Sequence, residues 1–542
     1  MDSVSVIASL LVLVTVFMVC LYIRRPSLAH IRGPTPASFL LGSTLELYQE
    51  QAGETDFTWQ RRYGGIVRFK SILGEDQLLI TDPKALRHIL SASDLYPHQP
   101  ERRMMSGFIN GKGIAWACGD AHKRQKRIIL PAFGAPHSET FLKASKVAAE
   151  GVCAKWMDVV NGTNDGRAII DMYKWLSRAT LDVIGQAAFG DCFGCLDDPN
   201  HILVRSYQNS IASILGSPPP QQIFMLEILK YLPTWMTEYV LERSKDKRCM
   251  LVKRMRKTVM GIGRELVRKR RDVYAVGGIN ECKDVDGEDK DALGLLVKEY
   301  MKDENEEEIL AQIRTLLIGG HETTTHTLEW ALLELAKRPS TQAKVREEAR
   351  RADATVRGRD GVWRVADLEG MAYTVAIVKE VFRYHCTLPH AYRVAAKEDV
   401  VPLAKPIRTE AGLPMEEIRV PRGTRIVGSI AGYNRNPDVW GDDADAFNPD
   451  RWMKDDEKEV TTVGVYANLL TFWGGPRACI GWRLAVIETQ VFLIEIISRF
   501  EVSLSEKATR VRREACGVVA PTVEGEVENG VQLPLVISLA QQ

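Results

Sequence analysis

A single cysteine, Cys479, lies in a glycine-rich segment that runs from Phe472 to Gly481 and reads FWGGPRACIG. Glycine and proline at this spacing favour a tight turn, and an apolar run follows immediately. The first amides of a helix there, together with Arg477, would stabilise a thiolate. Such a thiolate could act as a nucleophile or as a ligand to iron, whereas a free cysteine more commonly serves as a small apolar side chain.

A second group of candidate residues interrupts the long apolar segment 306–338. Acidic residues at its start, basic residues at its end and a following proline predict one helix of about 45 to 50 Å. The glycine pair 319–320 is followed by Glu322 and Thr323. These residues indicate one of two arrangements. Either they line a groove that binds a ligand, or the glycines allow close helix packing and the neighbouring polar side chains are hydrogen-bonded within the protein.

Composition excludes some classes of protein. The 542 residues include 71 Lys plus Arg and 70 Asp plus Glu, and this balance argues against a nucleic-acid partner. Ten cysteines in so long a chain are too sparse for a disulfide framework and fit a reducing compartment. Cys192 and Cys195 form a Cys-x-x-Cys pair without a second pair at zinc spacing, which argues against structural zinc.

The N-terminus, residues 1–25, contains an uncharged apolar run long enough to cross a bilayer as a helix. Asp2 precedes the run, and Arg24 and Arg25 follow it, whereas a cleaved signal carries positive charge before a shorter apolar core. The positive-inside bias places the rest of the chain in the cytosol. Residues 26–45 contain prolines that predict a stiff hinge. We therefore expect a transmembrane signal anchor followed by a hinge.

The body, residues 46–542, is expected to be one large domain, mainly α with small β-sheets. Alternating stretches within residues 64–82 predict strands. Residues 277–308 are polar and rich in acids, and their first half is predicted to be a mobile surface connection. A linker between two domains is the alternative interpretation of this segment.

The cysteine segment resembles the haem-binding loop of the cytochrome P450 family, Phe-x-x-Gly-x-Arg-x-Cys-x-Gly. The match falls on Phe472, Gly475, Arg477, Cys479 and Gly481. The resemblance, which is strongest to fungal membrane-bound members, implies the P450 fold with an N-terminal anchor. It also implies haem b, with the Cys479 thiolate as axial ligand to the iron, and a loop in which Phe472, Arg477 and Gly481 contact the cofactor.

Residues 319–324, GGHETT, resemble the oxygen-activation motif of the same family. The resemblance implies that Glu322 and Thr323 are the catalytic pair, with Thr323 assisting oxygen activation and Glu322 supplying protons. It also implies electrons from NADPH, delivered by a membrane-bound NADPH–cytochrome reductase. The expected location is the endoplasmic reticulum membrane, with a single span and the catalytic body on the cytosolic side.

Glu380 and Arg383 resemble the family's Glu-x-x-Arg motif, and FNPDRW at residues 447–452 resembles a further motif that contains Arg451. The resemblance implies a buried charge triad of these three residues. Glu-x-x-Arg occurs elsewhere in the chain, and charge pairs at this spacing usually lie on helix surfaces. Here the order of the motifs along the chain identifies the relevant pair.

The residues expected to bind the haem propionates depart partly from the family pattern. Where the family usually has Trp-x-x-x-Arg, this chain has His122 and Lys126. Both can donate hydrogen bonds to a carboxylate, although lysine lacks the planar fork of arginine. Arg393 matches a further propionate contact of the family.

The resemblance places substrate contacts in residues 104–118, 388–392 and 518–522 and in the helix before Gly319. These segments are mostly apolar, which indicates a lipophilic substrate, for example a terpenoid or another secondary metabolite. An isomerase or dehydratase of the same fold, a non-enzymatic haem carrier or gas sensor, and a hydrolase with a cysteine nucleophile are the alternative functions.

Overall fold

The computed structural model describes residues 27–216, 218–277, 291–300, 305–454 and 461–541. The described chain is mainly helical with small sheets, which confirms the predicted class. The expected membrane anchor, residues 1–25, lies outside the described residues, as does most of the first half of the predicted surface connection. Within the described part, none of the helices combines the length and apolar character needed to cross a bilayer.

The α-helices of the described residues are numbered in chain order. Their bounds are α1 Thr44–Gln49, α2 Glu54–Tyr63, α3 Pro83–Ser91, α4 Pro100–Asn110, α5 Gly119–Ile129, α6 Ser138–Asn161, α7 Met172–Phe189, α8 Ile202–Tyr207, α9 Ser210–Leu215, α10 Pro220–Ile228, α11 Thr234–Arg243, α12 Lys247–Gly277, α13 Ala292–Tyr300, α14 Glu306–Ala336, α15 Pro339–Arg359, α16 Val365–Glu369, α17 Ala372–Tyr384, α18 Ile430–Asn434, α19 Pro437–Trp440 and α20 Trp482–Arg499.

The strands are short and form small sheets. Their bounds are β1 Ile66–Lys70, β2 Asp76–Ile80, β3 Arg167–Asp171, β4 His390–Val394, β5 Asp399–Arg408, β6 Pro414–Val420, β7 Arg425–Ser429, β8 Phe500–Leu504, β9 Val511–Cys516, β10 Val518–Val523 and β11 Pro534–Leu539. The largest described sheet has the order β1-β2-β7-β4, and in it only β2 and β7 are parallel. The strands predicted within residues 64–82 are confirmed as β1 and β2.

Helix α14 runs through the largest hydrophobic core and packs against α7 and α20. The side chain of Asn305 caps its first turn by accepting a hydrogen bond from the amide of Glu308, at 3.3 Å. The helix ends at Ala336, two residues before the predicted end, and α15 begins at Pro339. The predicted long helix is therefore confirmed.

The glycine pair inside α14 serves two different purposes. A Cβ at Gly320 would lie 2.5 Å from the side chain of Ile184 on α7, whereas a Cβ at Gly319 would meet no atom within 4 Å. Close packing therefore requires the second glycine, and open space adjoins the first.

Part of the predicted hinge packs against the body. Leu28 and Ile31 are fully buried in a second hydrophobic cluster, which surrounds the sheet that contains β2 and β7. The amide of Leu28 donates a hydrogen bond to Asp76 at 3.0 Å. These contacts join the start of the described chain to the folded domain.

Candidate active site

The loop that contains Cys479 is held in a tight conformation by its own backbone. The amide of Cys479 donates a hydrogen bond to the carbonyl of Phe472 at 2.9 Å. Gly475 adopts φ of 65°, and a Cβ at this position would lie 2.5 Å from the carbonyl oxygen of Leu90. Only glycine fits here, because both the backbone angle and the neighbouring chain exclude a side chain.

The Cys479 thiol is enclosed by the loop and yet accessible. Burial raises the pKa of the Cys479 thiol, while the amide of Gly481 and the ammonium of Lys126 oppose that rise. A Cβ at Gly481 would meet no protein atom within 4 Å, so protein packing does not require this glycine. The space beside the sulfur therefore suits the approach of a cofactor.

Phe472 supports the loop from the core side. Its side chain is 6% exposed, and its ring meets that of Phe382 edge-on, with 4.8 Å between the ring centroids. The ring of Tyr466 lies 6.0 Å away. The structure thus gives Phe472 a positioning role in addition to the cofactor contact expected from the resemblance.

Arg393, on β4, is a buried cation with an unused donor. Its Nη1 donates to His98 Nδ1 at 3.1 Å and to the carbonyl of Tyr392 at 2.9 Å. Its Nη2 is buried and finds no hydrogen-bond partner among the described residues. Burial, and to a smaller extent Arg477, lower the pKa of Arg393 to about 10. A buried guanidinium with an unpaired donor favours an anionic partner.

Two histidines lie in the same positive field. Burial, followed by the charges of Arg393 and Arg477, lowers the pKa of His98 to about 3. Burial, followed by Arg477 and Lys126, lowers the pKa of His122 to about 4. Both rings are therefore neutral at physiological pH and can still donate a hydrogen bond to a carboxylate.

Lys126 and Arg477 link helix α5 to the cysteine loop. The ammonium of Lys126 donates to the carbonyl of Pro476 at 2.7 Å, and burial lowers its pKa. Arg477 makes a side-chain hydrogen bond with the thiol of Cys118. Lys126 is thus partly committed to the loop backbone, whereas the resemblance implied a propionate contact alone.

This basic cluster, formed by His98, His122, Lys126, Arg393 and Arg477, fits the haem that the resemblance implies. The cluster offers several donors and excess positive charge to the two carboxylates of a haem. The buried indole Nε1 of Trp473 likewise has no partner in the described part of the chain. The thiol in the same loop supplies a soft ligand of the kind that binds haem iron. The basic cluster therefore matches the propionates of this cofactor, and the thiol matches its iron.

Glu322 and Thr323 lie on the central helix α14 and differ in their surroundings. Glu322 is 2% exposed, and its Oε2 lies 3.1 Å from Nε2 of His326, while its Oε1 has no partner among the described residues. Burial opposes the ionisation of Glu322, but contacts with His326 and His321 hold its pKa below the usual value. Thr323 is partly exposed and donates to the carbonyl of Gly319 at 2.7 Å.

The structure brings Glu380, Arg383 and Arg451 together. Glu380 and Arg383 are fully buried, and two guanidinium nitrogens of Arg383 donate to the carboxylate at 2.7 and 2.8 Å. Arg451 Nε adds a longer contact of 3.3 Å, and the indole of Trp452 donates at 2.9 Å. The remaining donors of Arg383 reach the backbone carbonyls of Asn434, Ala444 and Ala446.

A cavity of about 420 Å³ lies beside the basic cluster, which it reaches at His98, and Trp473 also lines this cavity. Apolar residues from the segments predicted to contact substrate contribute to its wall: Met104, Met105, Ala115, Leu388 and Pro389. Polar side chains that were not predicted also line it: Tyr48, Arg102, Gln222 and Glu227. The cavity wall therefore combines apolar and polar side chains.

Three residues near the site were not identified from the sequence. His98 precedes α4 and carries no local signal for its contact with Arg393. His326 and Glu329, by contrast, lie four and seven residues after Glu322. This spacing places all three on one helix face, and it would have indicated their contact.

The family model and the individual relatives that match this chain belong to the same family. The family model described as Cytochrome P450 matches residues 31–528. Cytochrome P450 monooxygenase 205 of Postia placenta is 30% identical over 525 residues, which cover 95% of this chain and 93% of that protein. Cytochrome P450 monooxygenase claP of Ampulloclitocybe clavipes is 32% identical over 527 residues, covering 95% and 94% respectively.

Proposed function

The chain belongs to the cytochrome P450 family, and on that premise we propose that it inserts one oxygen atom from O2 into a lipophilic small molecule. The family and its named relatives identify an oxidoreductase, a haem-thiolate monooxygenase. Its electrons come from NADPH through a reductase. The observation that carries the proposal is the accessible Cys479 thiol beside a basic cluster with an unpaired arginine donor.

The residues of this chain would hold the haem from two directions. Cys479 would ligate the iron, and Arg393, His98 and His122 would donate to the propionates. When bound, the haem supplies the oxidising chemistry. The protein would position the reacting carbon, exclude water and move protons.

Glu322 and Thr323 would perform the proton transfer. Glu322 is ionised at neutral pH and keeps one buried oxygen unpaired, so it can accept and release a proton. The hydroxyl of Thr323 donates a hydrogen bond to the carbonyl of Gly319. Rotation of the side chain would let the same hydroxyl donate to a group in the pocket instead. We assign Glu322 to proton supply and Thr323 to hydrogen bonding within the pocket.

The proposed substrate class rests on the cavity wall. Methionine, leucine and proline side chains line a cavity of about 420 Å³, a volume within the range of small-molecule sites. The named relatives are fungal monooxygenases, so we propose hydroxylation, or successive oxidations, in fungal secondary metabolism such as terpenoid biosynthesis. The uncharged N-terminal run supports anchoring in the endoplasmic reticulum membrane, with the body in the cytosol.

The function is tested by spectroscopy and isotope incorporation. The reduced protein with carbon monoxide should show the strongly red-shifted Soret band of thiolate-ligated haem. With a reductase, NADPH and a panel of lipophilic compounds, 18O from O2 should appear in a product. A haem-loaded protein that transforms a compound without incorporating 18O would instead be an isomerase or dehydratase.

Replacement of Thr323 by alanine should uncouple electron use from product formation. Loss of the hydroxyl removes a proton-donating group, so product formed per NADPH should fall about tenfold while peroxide rises. The measurement compares NADPH consumption, product and peroxide. Thr327→Ala is the matched control, because Thr327 makes the same hydrogen bond to the carbonyl four residues earlier, at 2.9 Å. Equal coupling in both variants would remove Thr323 from the assigned role.

Replacement of Arg393 by glutamine should weaken haem retention. The variant loses the charge and the unpaired Nη2 donor, so haem should leave about tenfold faster, in keeping with a charge-assisted hydrogen bond. Transfer of haem to an excess of an apo acceptor protein measures this rate. Arg408→Gln, at an exposed position on β5, is the control and should release haem at the wild-type rate. A wild-type rate for Arg393→Gln would contradict the propionate assignment.

A further inference from the structure

A histidine lies between two carboxylates inside the central helix. His326 Nε2 is 3.1 Å from Glu322 Oε2, and His326 Nδ1 is 2.6 Å from Glu329 Oε2. All three side chains are at most 2% exposed. The imidazole therefore bridges the residue assigned to proton supply and a second acid that the family motif does not include.

Several groups on neighbouring elements face this bridge. The ring of Tyr173 on α7 stacks on His326, with 5.9 Å between centroids and 10° between planes. The charge of Glu322 acts on Tyr207 of α8 and on Cys516 of β9. His321 on α14 also adjoins Glu322, and Asp171, just before α7, acts on Glu329. Among the described residues, fixed cations act on these neighbours rather than on the bridge itself, Arg314 on Tyr207 and Lys174 on Asp171, so the imidazolium is the positive charge in direct contact with the two carboxylates.

The charges follow from these contacts. Burial alone would lower the pKa of His326, but its hydrogen bonds to Glu322 and Glu329 raise it to about 9. Burial raises the pKa of Glu329 to about 7, against the opposing contact with His326. At neutral pH the bridge therefore holds an imidazolium, an ionised Glu322 and a second acid close to its titration point.

One oxygen of each acid remains unpaired. Oε1 of Glu322 and Oε1 of Glu329 are buried and have no hydrogen-bond partner within the described ranges. The buried pair of His385 and Glu334 is different, because both oxygens of Glu334 are bonded, to His385 and Lys337 on one side and to Arg338 on the other. The carboxylate of Glu334 is thus fully bonded, whereas each carboxylate of the bridge retains one free acceptor oxygen among the described residues.

We propose that His326 is the immediate proton donor to Glu322 and that Glu329 holds His326 in its charged form. This inference rests on the proposed function, because it supplies the protons that oxygen activation consumes. His326 is a positioning residue in this scheme, since it acts through Glu322.

The proton transfer is balanced in atoms and charge. When Glu322 has released a proton to the pocket, the proton on His326 Nε2 crosses the 3.1 Å contact to Glu322 Oε2. The Nδ1 proton stays on the ring, which becomes neutral and continues to donate to Glu329. With Glu329 ionised, the net charge is minus one before the step, from one imidazolium and two carboxylates, and minus one afterwards, from Glu329 alone. One solvent proton then restores the imidazolium.

Two variants and a matched control test the proposal. His326→Gln retains a donor but cannot carry a mobile proton, and Glu329→Gln removes the charge that stabilises the imidazolium. His385→Gln alters another buried histidine, which directly follows the last residue of α17 and lies outside the bridge, with its Nε2 3.0 Å from Glu334. Each variant is measured for product per NADPH, for peroxide and for the pH dependence of both.

We expect His326→Gln to lower product per NADPH about tenfold, with peroxide replacing it, while His385→Gln keeps wild-type coupling. The pH profile separates proton supply from simple destabilisation. Without His326, burial raises the pKa of Glu322, so the pH profile of coupling in this variant should be displaced from that of the wild type. Unchanged coupling together with an unchanged pH profile in His326→Gln would overturn the proposal.

A second readout does not depend on turnover. In protein labelled with 15N-histidine and held as the diamagnetic reduced carbon-monoxide complex, the resonance that disappears in His326→Gln belongs to His326. Its imidazolium should persist above pH 8 and titrate with a pKa of about 9, and Glu329→Gln should move the titration to lower pH. A neutral ring at pH 7 would reject the proposal. If the complex lacks the thiolate Soret band, the proposed function fails instead, and the titration of His326 in that protein still decides the charge of the bridge.

The charged bridge should also make the stability of the folded protein depend on pH. Because the folded pKa of His326 is about 9 and its ordinary value is 6.5, its contribution is fully present below about pH 6.5 and is lost as the pH rises through about 9. The thermal unfolding temperature of the wild type should therefore fall more steeply between these values than that of His326→Gln.

Discussion

Cys479→Ser is expected to abolish the red-shifted Soret band of the reduced carbon-monoxide complex and to lower product formation by at least about a thousandfold, or about 4 kcal/mol. Serine is nearly isosteric with cysteine, so the loop should still close through the hydrogen bond between the Cys479 amide and the Phe472 carbonyl. What is lost is the sulfur, because a hydroxyl does not supply the electron density of a thiolate ligand. Absorption spectra and product assays on purified protein measure both effects.

The control for this experiment is Cys192→Ser. Cys192 is an exposed free cysteine outside the loop, and its replacement should leave spectrum and activity unchanged. A Cys479→Ser protein that folds and retains the band would show that another residue ligates the iron. The assignment of the cysteine loop as the haem site would then be wrong.

Glu380→Gln is expected to have the largest effect on stability, about 3 to 5 kcal/mol. The carboxylate accepts hydrogen bonds from Arg383, Arg451, Trp452 and the amide of Asn448. Glutamine replaces one acceptor oxygen by a donor and removes the negative charge. The buried guanidinium of Arg383 is then left without a counter-ion, and the new amide N–H group faces N–H donors that previously bonded to the carboxylate.

Thermal unfolding and soluble yield measure this loss, with Glu347→Gln as control. Glu347 belongs to another Glu-x-x-Arg sequence, but its side chain is 70% exposed and its contact with Arg351 is long, at 3.7 Å. Exposed pairs of this kind contribute little to stability. An unfolding temperature for Glu380→Gln equal to that of Glu347→Gln would mean that the buried network does not support the fold.

The comparison of Glu380 with Glu347 also shows where sequence reasoning reached its limit. Both residues satisfy the same four-residue pattern, and only motif order distinguished them in advance. The structure separates them by burial, since Glu380 and Arg383 are fully enclosed. Burial depends on what packs above a helix face, which a local pattern does not encode.

The glycine pair in α14 illustrates the same limit. The sequence left two interpretations open, a groove and close helix packing. In the fold, close packing holds for Gly320, which faces Ile184 of α7, whereas Gly319 faces open space. The orientation of the helix relative to its neighbours makes this distinction, and that orientation arises from contacts between distant segments.

The sequence by itself determined the features that depend on neighbouring residues. Helix α14, strands β1 and β2, and the tight cysteine loop follow from periodicity, terminal charges, and glycine and proline positions, because these act over a few residues. Apart from the charge triad that motif order implied and the contacts within α14, the tertiary structure decided which charges meet. Arg393 and His98 are 295 positions apart, and Lys126 and Pro476 are 350 positions apart. Such pairs form only when separate elements pack, and burial then sets their pKa values and leaves donors and acceptors for a cofactor to satisfy.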